Sequence, residues 1–345
     1  MAIVVRQADI ERDRGLLIQA VATHINASAD RKRFDWLYIQ NPAGRALAWI
    51  ATDEGTGDFV GMASAFPRRV ALAGGESLCW VLGDFCIHDR YRSLGPALQL
   101  QRAIIEESAA KKIAFWYDFP SVHMTAVYRR LRIDTPNVIV RMSKVLRVDR
   151  KLQGYLPWSA MAKWIARPGN VLVRALERSP RISPDIAITV LNGPCREEFS
   201  KLAADIGTTQ GACLVRSADY LNWRYRAGAV QPHEILTAHR AGRLVGYLVF
   251  TQEADHGIIM DLFGRDTDAL GQLICEAVNR LRTNGAMAVS APISQMHPLL
   301  GIFRSFGFVA REQLPMVCQP GGHASMGNPA DPRPLTMVMS GERDC

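Results

Sequence analysis

Apolar residues recur along the chain at two spacings, every second position and every third or fourth, and the switches between them lay out the elements. Ile3-Val4-Val5 reads as a short strand, and Ile10 to Ile25 as a helix with Leu16, Leu17, Ala20 and Val21 on one face. A second helical stretch, Lys32 to Ile39, carries Phe34, Trp36 and Tyr38. It stops before Asn41-Pro42, because proline drives the preceding residue out of helical backbone. Ala46 to Ala51 and Phe59 to Phe66 are apolar strands joined by the turn-rich Asp53 to Gly57. Val70 to Leu72 and Ser77 to Ile87 form a further pair about Gly74-Gly75. A helix over Leu98 to Ala109, a strand over Ile113 to Tyr117, a short helix over Met124 to Leu131 and a closing strand region over Asn137 to Val148 follow.

From Ile186 the pattern starts again. Leu221-Asn222-Trp223-Arg224-Tyr225 repeats Phe34-Asp35-Trp36-Leu37-Tyr38, and Glu234 to His239 with Arg243 to Phe250 repeats the strand–turn–strand meander. Gly257 to Phe263 stands where Leu82 to Ile87 stood, placing Asp261 opposite Asp84. A helix over Leu270 to Leu281, a strand over Ala286 to Ser290 and the segment His297 to Phe308 complete the unit. The sequence therefore predicts an α/β fold with a mixed sheet, built as two similar domains in tandem. These are residues 1–148, a connector over 149–185, and residues 186–345, whose tail from Met316 holds a strand-like Leu335 to Met339.

The connector is broken by Gly154, Pro157, Pro168-Gly169 and Ser179-Pro180. Trp158, Met161, Trp164 and Ile165 share one helical face in it, and a linker helix packed on the body explains them better than a membrane-surface helix. A hydrophobic content of 48% with 21% charged residues is that of a soluble globular chain. No apolar run is long enough to span a bilayer, and the N-terminus has no signal-peptide core, so a cytoplasmic location is expected. Seven cysteines without a Cys-x-x-Cys pair argue against a disulfide framework, and the eight histidines show no metal-ligand spacing, so no metal is expected. Residues 1–150 carry 21 Lys and Arg against 16 Asp and Glu, while residues 186–345 carry 14 against 15. The basic first half suits an anionic cofactor or substrate. No basic run interleaved with aromatics points to nucleic acid.

The informative stretch joins the strand ending at Ile87 to the helix after it: Arg92-Ser93-Leu94-Gly95-Pro96-Ala97. A helix that starts straight after a strand gathers unpaired N–H groups and partial positive charge at one point, which suits a phosphate. Gly95 permits unusual backbone angles, Ala97 permits close approach, and Pro96 fits a first helical turn, where its missing N–H costs nothing. Arg92 adds charge-assisted bonds. This Arg-x-x-Gly-x-Ala behind an apolar strand resembles the pyrophosphate loop of the GNAT superfamily of N-acyltransferases. The element order agrees with that family, and so does Ser121 to Leu131, in which Tyr128 occupies the family tyrosine's position facing the thioester sulfur. The Phe306-Gly307-Phe308 ending also matches, whereas Leu131-Arg132-Ile133 departs from it. The second copy has Gly264-Arg265-Asp266-Thr267-Asp268-Ala269 at the loop, where two carboxylates would repel a diphosphate, and Phe303 in place of Tyr128. It reads as a degenerate copy.

The resemblance implies acetyl-CoA or another acyl-CoA as co-substrate and direct attack by an amine of a small-molecule acceptor. Residues 92–97 would hold the diphosphate, and the backbone of Phe85, Cys86 and Ile87 would pair with the pantetheine arm. A free amine is mostly protonated at neutral pH, so a base is needed. Asp84 is the leading candidate, among Val81, Leu82 and Phe85; an Asp bonded to turn backbone is the alternative, and its recurrence as Asp261 favours that alternative. His88 and His123 are further candidate bases, and Tyr128 is the candidate acid toward the thiolate. Trp36, Tyr38 and Trp80 could wall an acceptor pocket, although the repeated Trp-x-Tyr spacing favours packing. Two other readings stay open: an inactive relic used as a binding or scaffold module, and a transferase using aminoacyl-tRNA, supported only by the basic connector.

Overall fold

The computed structural model describes residues 2–72, 75–134, 137–147, 183–207, 212–226, 232–321 and 335–343. The expected connector helix around Trp158 to Ile165 lies outside the described residues. Among the described residues, thirteen strands form one mixed sheet. In chain order they are β1 (Ile3–Gln7), β2 (Leu47–Asp53), β3 (Phe59–Leu72), β4 (Gly75–Ile87), β5 (Phe115–Asp118), β6 (Asn137–Val145) and β7 (Ile186–Val190). Then come β8 (Cys213–Leu214), β9 (Glu234–Arg240), β10 (Arg243–Glu253), β11 (His256–Gly264), β12 (Ala288–Ser294) and β13 (Val309–Pro320).

The spatial order is β1-β2-β3-β4-β5-β13-β6-β12-β11-β10-β9-β7, with β8 on the far end of β3. Read inward from either edge, the arrangement is the same: an antiparallel meander, a parallel pair (β4 with β5, β11 with β12), and then a strand from the other half of the chain. The last strands are exchanged. β6 pairs with β12, β13 pairs with β5, and β6 and β13 pair with each other at the centre.

Three apolar clusters follow from the alternation of side chains across the sheet. One face is covered by α1 (Arg14–His24), α2 (Arg31–Phe34, continued as a π-helical turn over Asp35–Ile39), α5 (Glu197–Gly207) and α6 (Ala218–Tyr225). These share a single core that crosses both halves. On the other face, α3 (Leu94–Ala110) and α4 (Val122–Arg130) cover the N-terminal half. The C-terminal half is covered there by α7 (Thr267–Thr283) and α8 (Leu300–Ser305). The shared core is pinned by a reciprocal contact: Trp36 Nε1 donates to the Trp223 carbonyl and Trp223 Nε1 to the Trp36 carbonyl, each at 2.8 Å, with the rings stacked 5.2 Å apart.

Several elements differ from the sequence expectation, in which α5 and β8 have no counterpart. β3 runs unbroken through Pro67 to Leu72 instead of forming two strands. β13 occupies residues given no element, together with the start of the tail; its first six positions are exposed, so no apolar alternation marks it. The segment expected as a strand over Leu335 to Met339 makes one isolated bridge, Met339 to Ile293, and is otherwise extended chain against the core. Among the described residues no helix is long and apolar enough to cross a membrane.

Candidate active site

β4 and β5 pair in parallel only at Trp80 with Trp116 and Val81 with Tyr117. β5 then ends at Asp118, while β4 continues to Ile87 along β3. A bulge sharpens the divergence. Ser64 faces Gly83 and Met62 faces Cys86, so Asp84 and Phe85 together oppose Ala63. Asp84 takes a positive φ of 44° there. The strands open into a narrow slot lined by Leu82, Gly83, Phe85, Gln101, Asp118 and Met124.

The bulge turns Asp84 away from the slot. Arg33 Nη1 and Nη2 donate to its two carboxylate oxygens at 2.9 and 2.8 Å, and the Tyr38 hydroxyl donates to Oδ2 at 2.8 Å. The pair is buried under α2, and Asp261 in the C-terminal half is held likewise by Arg216 and Tyr247. Each half thus seals a carboxylate at the same place, on β4 and on β11.

Asp118, which sequence reasoning missed, ends β5 at the mouth of the slot. It accepts a 2.6 Å hydrogen bond from the Tyr128 hydroxyl. Burial pushes its carboxyl up to about 6, against the opposing pull of that bond. Burial, then the neighbouring Asp118, holds the Tyr128 phenol well above its ordinary value, so it stays protonated. Gln101 was missed too. Its side chain is 1% exposed and lines the slot, and its amide nitrogen has no hydrogen-bond partner among the described residues. An orphaned buried donor is costly and asks for an acceptor. The signals were faint: a lone carboxyl after Phe115-Trp116-Tyr117, and one amide on the apolar side of α3.

Between β4 and α3, Asp89–Tyr91 forms a short 3-10 turn, and Arg92 extends into solvent with Asp89 at 2.8 Å. Ser93 is the N-cap of α3 but bonds no backbone N–H through its side chain. Leu94, Gly95, Pro96 and Ala97 form the first turn, with Pro96 where its missing N–H is harmless. Gly95 does not use a left-handed conformation, contrary to the motif's suggestion; a Cβ there would meet only Ser93 Oγ, at 3.9 Å. What glycine leaves is open space over the helix end. The corresponding end of α7 is closed: the Asp266 carboxylate accepts from the Asp268 and Ala269 amides at 3.1 Å each and pairs with Arg240. Phe303, the counterpart of Tyr128, is buried edge-on to Phe308.

The remaining candidates are spread out. Phe85 and Ile87 pack partly buried on the α3 side, while the Cys86 thiol points to the shared core and is pushed up to about 12 by burial. His88 lies edge-on to His24 and accepts at Nδ1 from the Arg90 amide, and His123 is exposed on α4. Trp36 and Tyr38 are consumed by packing, and Trp80 packs near Trp49.

No protein-family model matches the chain, and no curated protein matches it in sequence. Solved structures do. A conserved protein of Enterococcus faecalis described as a probable N-acyltransferase superposes with a TM-score of 0.66 at 12% identity, over 93% of this chain and 73% of that one. A GCN5-related N-acetyltransferase from Anabaena variabilis gives 0.65 at 13%, over 92% and 72%. Saccharomyces cerevisiae N-myristoyltransferase with bound myristoyl-CoA gives 0.59 at 12%, over 97% and 89%. With its meander, its opened parallel pair and the helix that starts behind it, the chain has the GNAT fold.

Proposed function

We propose that the protein is an acyl-CoA-dependent N-acyltransferase whose active site lies in the N-terminal half. The observation that carries this is the contrast between the two helix ends: the start of α3 has no side-chain cap, whereas that of α7 is filled by its own Asp266. The Leu94, Gly95 and Ala97 amides and Arg92 would hold the diphosphate, with Ser93 and Pro96 shaping the turn. The free edge of β4 over Phe85, Cys86 and Ile87 would pair with the pantetheine arm, placing the thioester in the slot.

There the Gln101 amide would donate to the thioester oxygen as it gains charge, the contribution expected of an oxyanion donor. The neutral amine attacks the carbonyl carbon, and the C–S bond breaks as the tetrahedral intermediate collapses. Asp118 takes the proton released by the amine nitrogen. Tyr128 gives its proton to the departing thiolate and regains one from Asp118 through their hydrogen bond. Asp84 has both oxygens engaged, so we place it as the strut of the β4 bulge and Asp118 as the base. That sealed Asp84 also favours the second reading, a binding module without turnover. Coenzyme binding with no thiol release across a panel of small amines would select that reading.

Calorimetric titration with acetyl-CoA tests the primary claim. Wild type is expected to bind, and Gly95→Glu, which puts a carboxylate into the open space, to weaken binding at least about tenfold. Absence of wild-type binding, or indifference to Gly95→Glu, overturns it.

A further inference from the structure

A cavity of about 970 Å³ opens beside the slot. Phe119, Pro120 and Ser121, the residues directly after Asp118, form one end, and Thr125, Ala126 and Arg129 of α4 form a wall. Asp118 and Met124 line the slot, so the two spaces adjoin at the end of β5 and the start of α4. The opposite wall comes from the central strands, where Ile139, Leu314 and Pro292 meet Ile258 of β11 and Met339 of the C-terminal segment. This size is at the upper end for small-molecule sites, and the mixture of apolar wall with a few polar groups is typical of them.

The charge of the lining is one-sided. Arg129, Arg141 and Arg343 line the cavity, and no Asp or Glu does among the described residues. Arg141 is answered from outside the lining by Glu312, through bonds of 3.0 and 2.6 Å. Arg343 acts electrostatically on Asp118, which ties the cavity's charge to the end of β5. The Arg129 guanidinium, on the exposed side of α4, makes no ion pair or hydrogen bond among the described residues. A plain amine finds no carboxylate in the lining itself, and a polyamine is repelled by its arginines. An amine that also carries an acid group brings the missing charge, and a guanidinium meets a carboxylate in a two-point geometry.

We propose that this cavity is the acceptor site and selects an apolar amino acid or short peptide, its carboxylate paired with Arg129 and Arg343 and its amine directed toward Asp118. The proposal rests on the acyltransferase reading for its place in the reaction, but its binding preference stands on the cavity alone.

The test is a binding measurement by calorimetry or ligand-observed NMR, with and without CoA. L-leucyl-L-phenylalanine is compared with its C-terminal amide and with O-phosphotyramine. The dipeptide acid is expected to bind about tenfold or more tighter than its amide, from one charge-assisted pair. Arg129→Ala, an exposed substitution, should erase most of that preference, and Arg129→Lys should keep part of it. Equal binding of acid and amide, binding of neither, or a preference unchanged in Arg129→Ala overturns the proposal. Tighter binding of O-phosphotyramine than of the dipeptide overturns the carboxylate assignment. Since the preference is read without acyl transfer, failure here leaves acetyl-CoA binding intact, and failure of the acetyl-CoA titration leaves the preference readable.

Discussion

Two carboxylates on neighbouring strands meet opposite surroundings. Asp84 is neutralised by a two-point guanidinium contact and a phenol, so its buried charge is matched and its oxygens are occupied. Asp118 has no guanidinium bound to its oxygens, and burial, outweighing the Tyr128 hydroxyl and the Phe119 amide, lifts it to about 6. As the proposed base it must be ionised, so kcat/KM should fall as pH drops through about 6, with the inflection tracking this residue. In Asp118→Asn that inflection should disappear and kcat/KM should drop about a hundredfold or more. Stability should move the other way. The folded carboxyl binds its proton more tightly than the unfolded one, whose ordinary value is 3.8, so wild type loses stability as pH rises from about 4 to about 6 and is level above that. The loss is on the order of 3 kcal/mol, absent from Asp118→Asn, and urea titrations at pH 4 and pH 7 measure the difference. An activity limb near 6 that survives in the Asn variant would remove Asp118 from the mechanism. Sequence could nominate Asp84 because it sits in an apolar run beside the phosphate turn; it could not show that Arg33, 51 residues away, would claim it.

At the level of elements, most of the chain was readable because helices and strands with one buried face carry their period in the sequence. Where both faces are exposed, as in the first half of β13, the period is lost and only pairing defines the element. The junction before α3 was legible as strand, turn and helix, but the feature proposed to hold a diphosphate is a missing cap, and that depends on where one side chain points. Ser93 leaves the α3 amides free; Asp266 does not leave those of α7 free. Placing a capping carboxylate in the first helix should therefore have effects of opposite sign on fold and ligand. Ser93→Asp is expected to raise stability by up to about 1 kcal/mol through a new cap and a favourable helix-end charge. The same change should weaken acetyl-CoA binding at least about tenfold, by occupying the amides and repelling the diphosphate. Thermal melts and calorimetry on one preparation give both numbers. A variant that is stabilised yet binds acetyl-CoA as wild type does would mean that the helix end is not the diphosphate site.

For the whole molecule, the exchanged strands decide how the halves depend on each other, and no local period announces a partner strand from the far end of the chain. β5 has only four residues, and its inner neighbour is β13, from the last part of the sequence. β6 closes the N-terminal half in sequence but lies between β12 and β13 in space. Removing either half would strip pairing from strands in the other and uncover the shared core around Trp36 and Trp223. Bare strand edges and an apolar face of that kind favour association over independent folding. Residues 1–147 or 183–345 expressed alone are therefore expected to give aggregated or unfolded material. Expressed together as two chains, they should assemble into a one-to-one complex, because the exchanged strands and the tryptophan contact need no peptide link to form. Size-exclusion chromatography and urea unfolding distinguish the outcomes: one cooperative transition for the reassembled pair, none for either piece. A soluble monomer of residues 1–147 that unfolds cooperatively on its own would show that the N-terminal half closes its sheet without β13. The slot between β4 and β5 would then not depend on the C-terminal half for its shape.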